Sequence, residues 1–133
     1  MSRENVEIVR SAYQHFQATG ELRPELMAPE VVWDMSKYAG WVERSVYHGV
    51  DGARELVEDW TEVWDEWQYE LDALVDAGEQ VVVIIHQRSR SQFSQLPVTR
   101  SLAQVWTMRE GIVIRMEGYS TPGDALRACG LAE

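Results

Sequence analysis

The sequence predicts an α+β fold in which helices come first and a curved antiparallel sheet follows. Three observations carry this. Residues 4–19 and 51–64 place apolar side chains at helical spacing. From Trp67 onward, four segments rich in β-branched and aromatic residues alternate with turn formers, as consecutive antiparallel strands do. The signature TPGD after those strands caps one more helix.

In the first helix Val6, Val9, Tyr13 and Phe16, helped by Ile8 and Ala12, make the inner stripe, and Gly20 supplies the stop. Pro24 suits the start of a short helix that Pro29 must end, and VVWDM then reads as a strand. The stretch SKYAGWVERSVYHGV, with two glycines and several aromatics, reads as a long connection of the kind that covers a cleft. Asp51 is placed as the N-cap of the second long helix, with a stripe of Ala53, Leu56, Val57, Trp60, Val63 and Trp64.

This second helix runs through the most acidic stretch, EDWTEVWDEWQYEL. Spacing puts Trp60 and Trp64 on the inside, while Glu58, Asp59, Glu62, Asp65 and Glu66 keep the outside in water. Trp67, Tyr69 and Leu71 then alternate with Gln68, Glu70 and Asp72, which marks the change to a strand. The strands WQYELDALVD, VVVIIHQRSR, VTRSLAQVWTMR and IVIRMEGYS follow, the last two joined by the turn EG. In the last helix Thr121 is the cap, Pro122 opens the first turn and Gly130 ends it.

Size and composition bound the function. The 133 residues, 45% hydrophobic and 26% charged, make one domain, 1–133, with an ordinary core. A net charge of −10, from twenty-two acids against one lysine and eleven arginines, argues against nucleic-acid or anionic-membrane partners. The longest apolar run, Val81 to Ile85, is too short to span a bilayer, and the N-terminus lacks a signal-peptide core, so a soluble cytoplasmic protein is expected. Cys129, the only cysteine, forms no internal disulfide and reads as a buried small residue rather than a nucleophile. His15, His48 and His86 have no ligand spacing, so no metal is expected.

The segments YHGVDGARELVEDW, ELDALVDAGEQVVV and LAQVWTMREGIVIRMEGYSTPGDALRACGL resemble the SnoaL-like branch of the nuclear-transport-factor-2-like superfamily. The resemblance covers nearly the whole chain. It implies an NTF2-like cone, a curved antiparallel sheet wrapped around the N-terminal helices with an interior pocket, and a homodimer through the outer sheet face. The superfamily includes isomerases, dehydratases, polyketide cyclases, epoxide hydrolases and non-enzymatic binders.

Site residues carry over one at a time. Ketosteroid isomerases of this superfamily hold an enolate with a helix-1 tyrosine and a protonated strand acid, and use an aspartate at the end of the first strand as base. Tyr13 is similarly placed to the tyrosine and Asp34 to the base, while Gln104 stands where the strand acid would be. Its amide can still donate a neutral hydrogen bond. Epoxide hydrolases need an Asp, Arg and Asp set, which His86, Arg88, Arg115 and Glu117 do not supply.

The implied activity is a cofactor-free acid/base enzyme, of isomerase, cyclase or dehydratase type, acting on a small apolar carbonyl-containing metabolite. The alternative is a ligand-binding or assembly module of the same fold. In the catalytic reading, Asp34 faces an apolar cone that raises its pKa, Tyr13 and Gln104 polarise the oxygen, and His86 is a second acid/base. The structural alternatives are an arginine-paired strand-end Asp34, a core Tyr13 and a hydrogen-bonded strand-end His86. Trp41 in the covering loop, with Trp60, Trp64, Trp106 and Met116, is placed against a flat apolar or aromatic ligand. The late-strand arginines, Arg100 among them, are expected to balance acids or serve a dimer contact.

Overall fold

The computed structural model describes residues 2–38, 41, 45–91 and 94–131, with the side chains of 2, 63–67 and 91 outside that description. Helix α1 (Ser2–Thr19) leads through a short 3-10 turn (Pro24–Leu26) into β1 (Met27–Asp34). Then come β2 (Val46–His48), α2 (Gly49–Val63), β3 (Trp64–Ala77), β4 (Gln80–Ser91), β5 (Pro97–Arg109), β6 (Ile112–Tyr119) and α3 (Pro122–Ala128). The six strands form one sheet in the order β2-β1-β6-β5-β4-β3.

The meander β3 to β6 is antiparallel and pairs in sequence, as expected. Strand β1 adds in parallel beside β6, which brings Trp33 opposite Met116 and Asp34 opposite Glu117. Glu110 and Gly111, both at positive φ (53 and 79), make the two-residue turn between β5 and β6. Such a turn matches the twist of the strands it joins, and glycine meets its left-handed requirement without a Cβ clash.

Several boundaries differ from the sequence expectation. The first strand begins before Pro29, and its pairing with β6 shifts register between Met27 and Val32. A proline has no N–H to give a ladder, so it fits where the ladder is interrupted. Within the long connection, residues 46–48 form β2, which pairs antiparallel with β1. Helix α2 starts at Gly49, so Asp51 lies inside its first turn instead of capping it. That helix ends at Val63, and Trp64 opens β3 opposite Ser91. Trp64 therefore does not extend the helical stripe. Its side chain, like those of Val63, Asp65, Glu66 and Trp67, lies outside the described residues.

Two apolar layers flank the sheet. On one face α1 and α2 lay Val9, Tyr13, Ala53 and Leu56 against Val81, Val83, Ile85, Leu102, Trp106, Met108, Val113 and Met116. On the other, Val82, Ala103, Val105 and Tyr119 pack with Ala125 of α3. The helices thus cover both faces. Thr121 caps α3 by accepting from the Asp124 N–H at 3.2 Å. Asn5 ties α1 to the β3–β4 turn by donating to Gly78 O at 3.1 Å. The fully buried Tyr47 donates to Asp59 at 2.6 Å, so one acid of the acidic stretch binds β2 to α2. No helix among the described residues is long and apolar enough to cross a membrane.

Candidate functional site

The concave face of the sheet and the undersides of α1 and α2 enclose a cavity. Its wall is overwhelmingly apolar: Phe16, Leu22, Leu26, Met27, Leu56, Val57, Ile85, Leu102, Val113 and Met116 contribute to it. Rings supply much of the remainder, from Tyr13, Trp33, Tyr38, Trp60, Tyr69 and Trp106. Period-two alternation explains the strand contributions, because Leu102, Gln104 and Trp106 share one face of β5.

The polar centre of this wall is a small network. Tyr13 on α1 donates its hydroxyl to Gln104 Oε1 in a short contact, and Trp106 Nε1 donates to the same oxygen at 2.9 Å. The Tyr13 ring meets Trp106 at 5.6 Å and Tyr69, edge-on, at 6.3 Å between centroids. Burial first, and the neighbouring Tyr69 second, push the Tyr13 hydroxyl far above the usual tyrosine range. Burial also pushes Tyr69 up to about 12. Both therefore stay protonated across the physiological range and act as neutral hydrogen-bonding groups.

A second polar point lies in the turn after β1. The buried Tyr38 accepts from Arg100 Nη2, and the guanidinium stands 5.1 Å from the centre of the same ring. Tyr38 and Trp60 meet edge-to-face at 5.6 Å, while Trp41 stacks on Trp60 at 5.6 Å with planes 22° apart. The covering role expected of Trp41 thus reaches the cavity through Trp60, which lines it. Gly118 leaves room for another wall group. A Cβ there would meet Met35 Sδ at 2.5 Å, and both residues line the cavity.

Tyr13, Gln104, Trp60, Trp106 and Met116 are therefore gathered in one wall, as the sequence suggested. Asp34 is not. Its neighbours Trp33 and Met35 line the cavity, so alternation turns Asp34 to the opposite face. There it is 6% exposed, accepts from Arg115 Nη2 at 2.6 Å and from the Ser36 N–H at 2.8 Å. Burial acts to raise its pKa, but the hydrogen bonds from Ser36, with Lys37 and Arg115, outweigh it and hold the carboxyl below the usual range. The raised-pKa base expected in the cone is instead an ion-paired acid outside it.

His86 also falls on the outer face, in phase with Val82 and Ile84 and opposite Glu70 and Ser101 in the ladder. Its inward neighbour Ile85 is the residue that reaches the cavity. Among the described lining residues there is no carboxylate and no imidazole.

Sequence reading did not single out Trp33, Tyr38 or Gly118 as site residues. Trp33 had a partial signal: in VVWD, strand alternation makes Trp33 and Asp34 exclusive choices for the interior, without saying which of the two takes it. An isolated glycine inside the strand pattern IVIRMEGY is a second signal, for close approach of a neighbour. Tyr38 had none, because its place depends on how the turn after β1 folds back.

The family model of the SnoaL-like domain matches residues 9–116. The chain belongs to the SnoaL-like domain family. This SnoaL-like domain is similar in structure to an NTF2-like protein from Burkholderia pseudomallei K96243, at 19% identity and TM-score 0.73 over 93% of this chain and 95% of that one. TerC, crystallised with polyporic acid, is 20% identical with TM-score 0.71 over 96% and 98%. A protein with a ketosteroid isomerase-like fold from Catenulispora acidiphila DSM 44928, in complex with trimethylamine, is 12% identical with TM-score 0.61 over 81% and 79%. At these identities the likeness speaks for the fold, a curved and unclosed NTF2-like sheet with three helices. Among curated proteins no significant match is found.

Proposed function

We propose that this SnoaL-like domain binds a small, flat, largely apolar metabolite carrying a carbonyl oxygen, inside the cone. The carrying observation is the Tyr13–Gln104–Trp106 network, a polar centre set in an apolar and aromatic wall. Burying an amide costs free energy unless its hydrogen-bonding capacity is used. The Gln104 oxygen is satisfied twice, and the carbonyl of a ligand would use the remaining N–H groups. The crystallisation of the similar chain TerC with polyporic acid supports a small organic ligand.

The described wall favours binding over acid/base turnover. Tyr13 has its pKa driven up, which suits a donor and not a base. A catalytic version remains the second reading, because the neutral donors that hold a carbonyl would also stabilise its enolate. Proton removal would then have to come from a group outside the described lining.

The experiment is a titration with 1-tetralone followed by tryptophan fluorescence, with Tyr13→Phe and Gln104→Leu alongside wild type. Each variant is expected to weaken binding by about five-fold, the loss of one neutral hydrogen bond. No saturable quenching in wild type would defeat the binding reading. Exchange of the ketone's α-protons for deuterium tests the second reading: a rate unchanged by the protein leaves a binder, and an accelerated rate makes it an enzyme.

A further inference from the structure

The two polar points of the cavity share a feature that neither shows alone. Gln104 Oε1 is contacted by Trp106 Nε1 at 2.9 Å. An indole nitrogen can only donate, so the atom it meets must be the amide oxygen, and the flip of Gln104 is fixed. The face left to Gln104 is its NH2, for which no acceptor lies within hydrogen-bonding distance among the described residues.

Tyr38 is held in the same way. A guanidinium also only donates, so when Arg100 Nη2 bonds the Tyr38 oxygen, the hydroxyl hydrogen is forced elsewhere. Tyr38 lines the cavity, is 6% exposed, and has no acceptor for that hydrogen among the described residues. Gln104 and Arg100 stand on one strand, β5, in phase and about 13 Å apart along it.

We infer that Trp106 and Arg100 are positioning residues that lock Gln104 and Tyr38 as two hydrogen-bond donors, so that the site selects flat compounds with acceptors on two edges. This rests on the binding reading above and sharpens it. A ligand with a carbonyl on one edge and an ether or carbonyl oxygen on the other satisfies both donors. One that presents an N–H at the Gln104 point leaves two donors facing each other, and at the Tyr38 point it must share the oxygen with Arg100 while the hydroxyl hydrogen goes unpaired, so either mismatch forfeits a hydrogen bond.

Chromone and 4-quinolone test this, since they share ring system and carbonyl and differ at the opposite edge, where one has oxygen and the other N–H. Naphthalene serves as the apolar control, and binding is read from tryptophan fluorescence in wild type, Trp106→Phe and Arg100→Met. Wild type should prefer chromone to 4-quinolone by about ten-fold or more. In Trp106→Phe the Gln104 amide can flip, and in Arg100→Met the Tyr38 hydroxyl can turn to accept. Each variant should therefore bring the chromone-to-quinolone ratio toward one, and any affinity lost by trimming the Trp106 ring, read from naphthalene, cancels in that ratio.

A wild-type ratio near one overturns the inference, and so does a ratio that neither variant moves. Equal loss for all three compounds in a variant gives that residue a packing role only, which also overturns it. Either variant suffices if the other fails to fold. Binding of chromone and naphthalene without discrimination leaves the pocket reading standing, whereas no binding by any of the three removes both.

Discussion

On the concave side of the sheet the uncharged side chains of Trp33, Gln104, Trp106 and Met116 meet, with indole and phenol hydrogen bonds to one amide, and Arg23 is the one charged residue among the described lining. One residue along from Trp33 and Met116, on the opposite side, Asp34 and Glu117 meet Arg115 and Lys37 in a group of ion pairs. Both regions are polar centres of the same sheet, yet their chemistry is opposite. In this largely apolar part of the wall a buried lone charge would be costly, so the polar groups at its centre are neutral and pair with each other. At the outer face solvent is near: Arg115 keeps 39% and Lys37 47% of its side-chain surface exposed. Charges survive there by pairing. Burial consequently drives Tyr13 up on one side, while partners hold Asp34 down on the other.

The largest expected effect separates the two faces most sharply. Trp33→Ala empties a ring from the cavity wall and should destabilise the fold by about 3–5 kcal/mol in urea denaturation. Trp33→Phe should cost far less, because the Trp33 Nε1–H is buried without a partner and its removal forfeits no hydrogen bond. A small loss in Trp33→Ala would mean that the wall is loosely packed there and the contrast with the outer face is overdrawn.

Next in size is the adjacent residue. Asp34→Asn should cost about 2 kcal/mol at neutral pH, the order of a charge-assisted hydrogen bond. Its folded pKa is depressed, so its contribution is present above the unfolded carboxylate value of about 3.9 and disappears as pH falls through the lower folded value. The stability gap between wild type and variant should close in that acid window. Chromone affinity should be untouched. A variant that folds but binds more weakly would put Asp34 back at the cavity and break the comparison.

Smallest is Lys37→Met. The Lys37–Glu117 pair is short, 2.6 Å, but nearly half of the lysine side chain is exposed. A change under about 0.5 kcal/mol is expected, and it should shrink further with added salt. A loss above about 1 kcal/mol would show that the outer cluster acts as a unit and is drier than its exposure suggests.

Much of this was legible in the chain because it is written in local physics. The stripe Val6, Val9, Tyr13 and Phe16 set the inner face of α1, and Gly20 at φ +75 ended it. The runs of Val, Ile and aromatic residues set the meander, and Thr121 capped α3. Tyr13 and Trp60, from the inner stripes of α1 and α2, and Gln104, Trp106 and Met116, from β5 and β6, line one cavity. The Asp34 expectation failed on phase: position in the chain placed it at the strand end, but only pairing with β6 showed which face it takes. His86 sits in VVVIIH, apolar on both faces, so no alternation existed from which to read its direction.

By itself, then, the sequence determined which segments coil and which extend and that helices precede the sheet, and the family resemblance pointed to Tyr13 and Gln104 as the place to look for a carbonyl site. Only the tertiary structure decided that Trp33 rather than Asp34 enters the cavity and that Trp64 begins a strand. It alone brought Arg100 to Tyr38, sixty-two residues away in the chain. The reason is one of range. Helical stripes, turns and caps are settled by neighbours a few residues apart, whereas the facing of a strand and the partner of a buried donor are settled by register between segments distant in sequence.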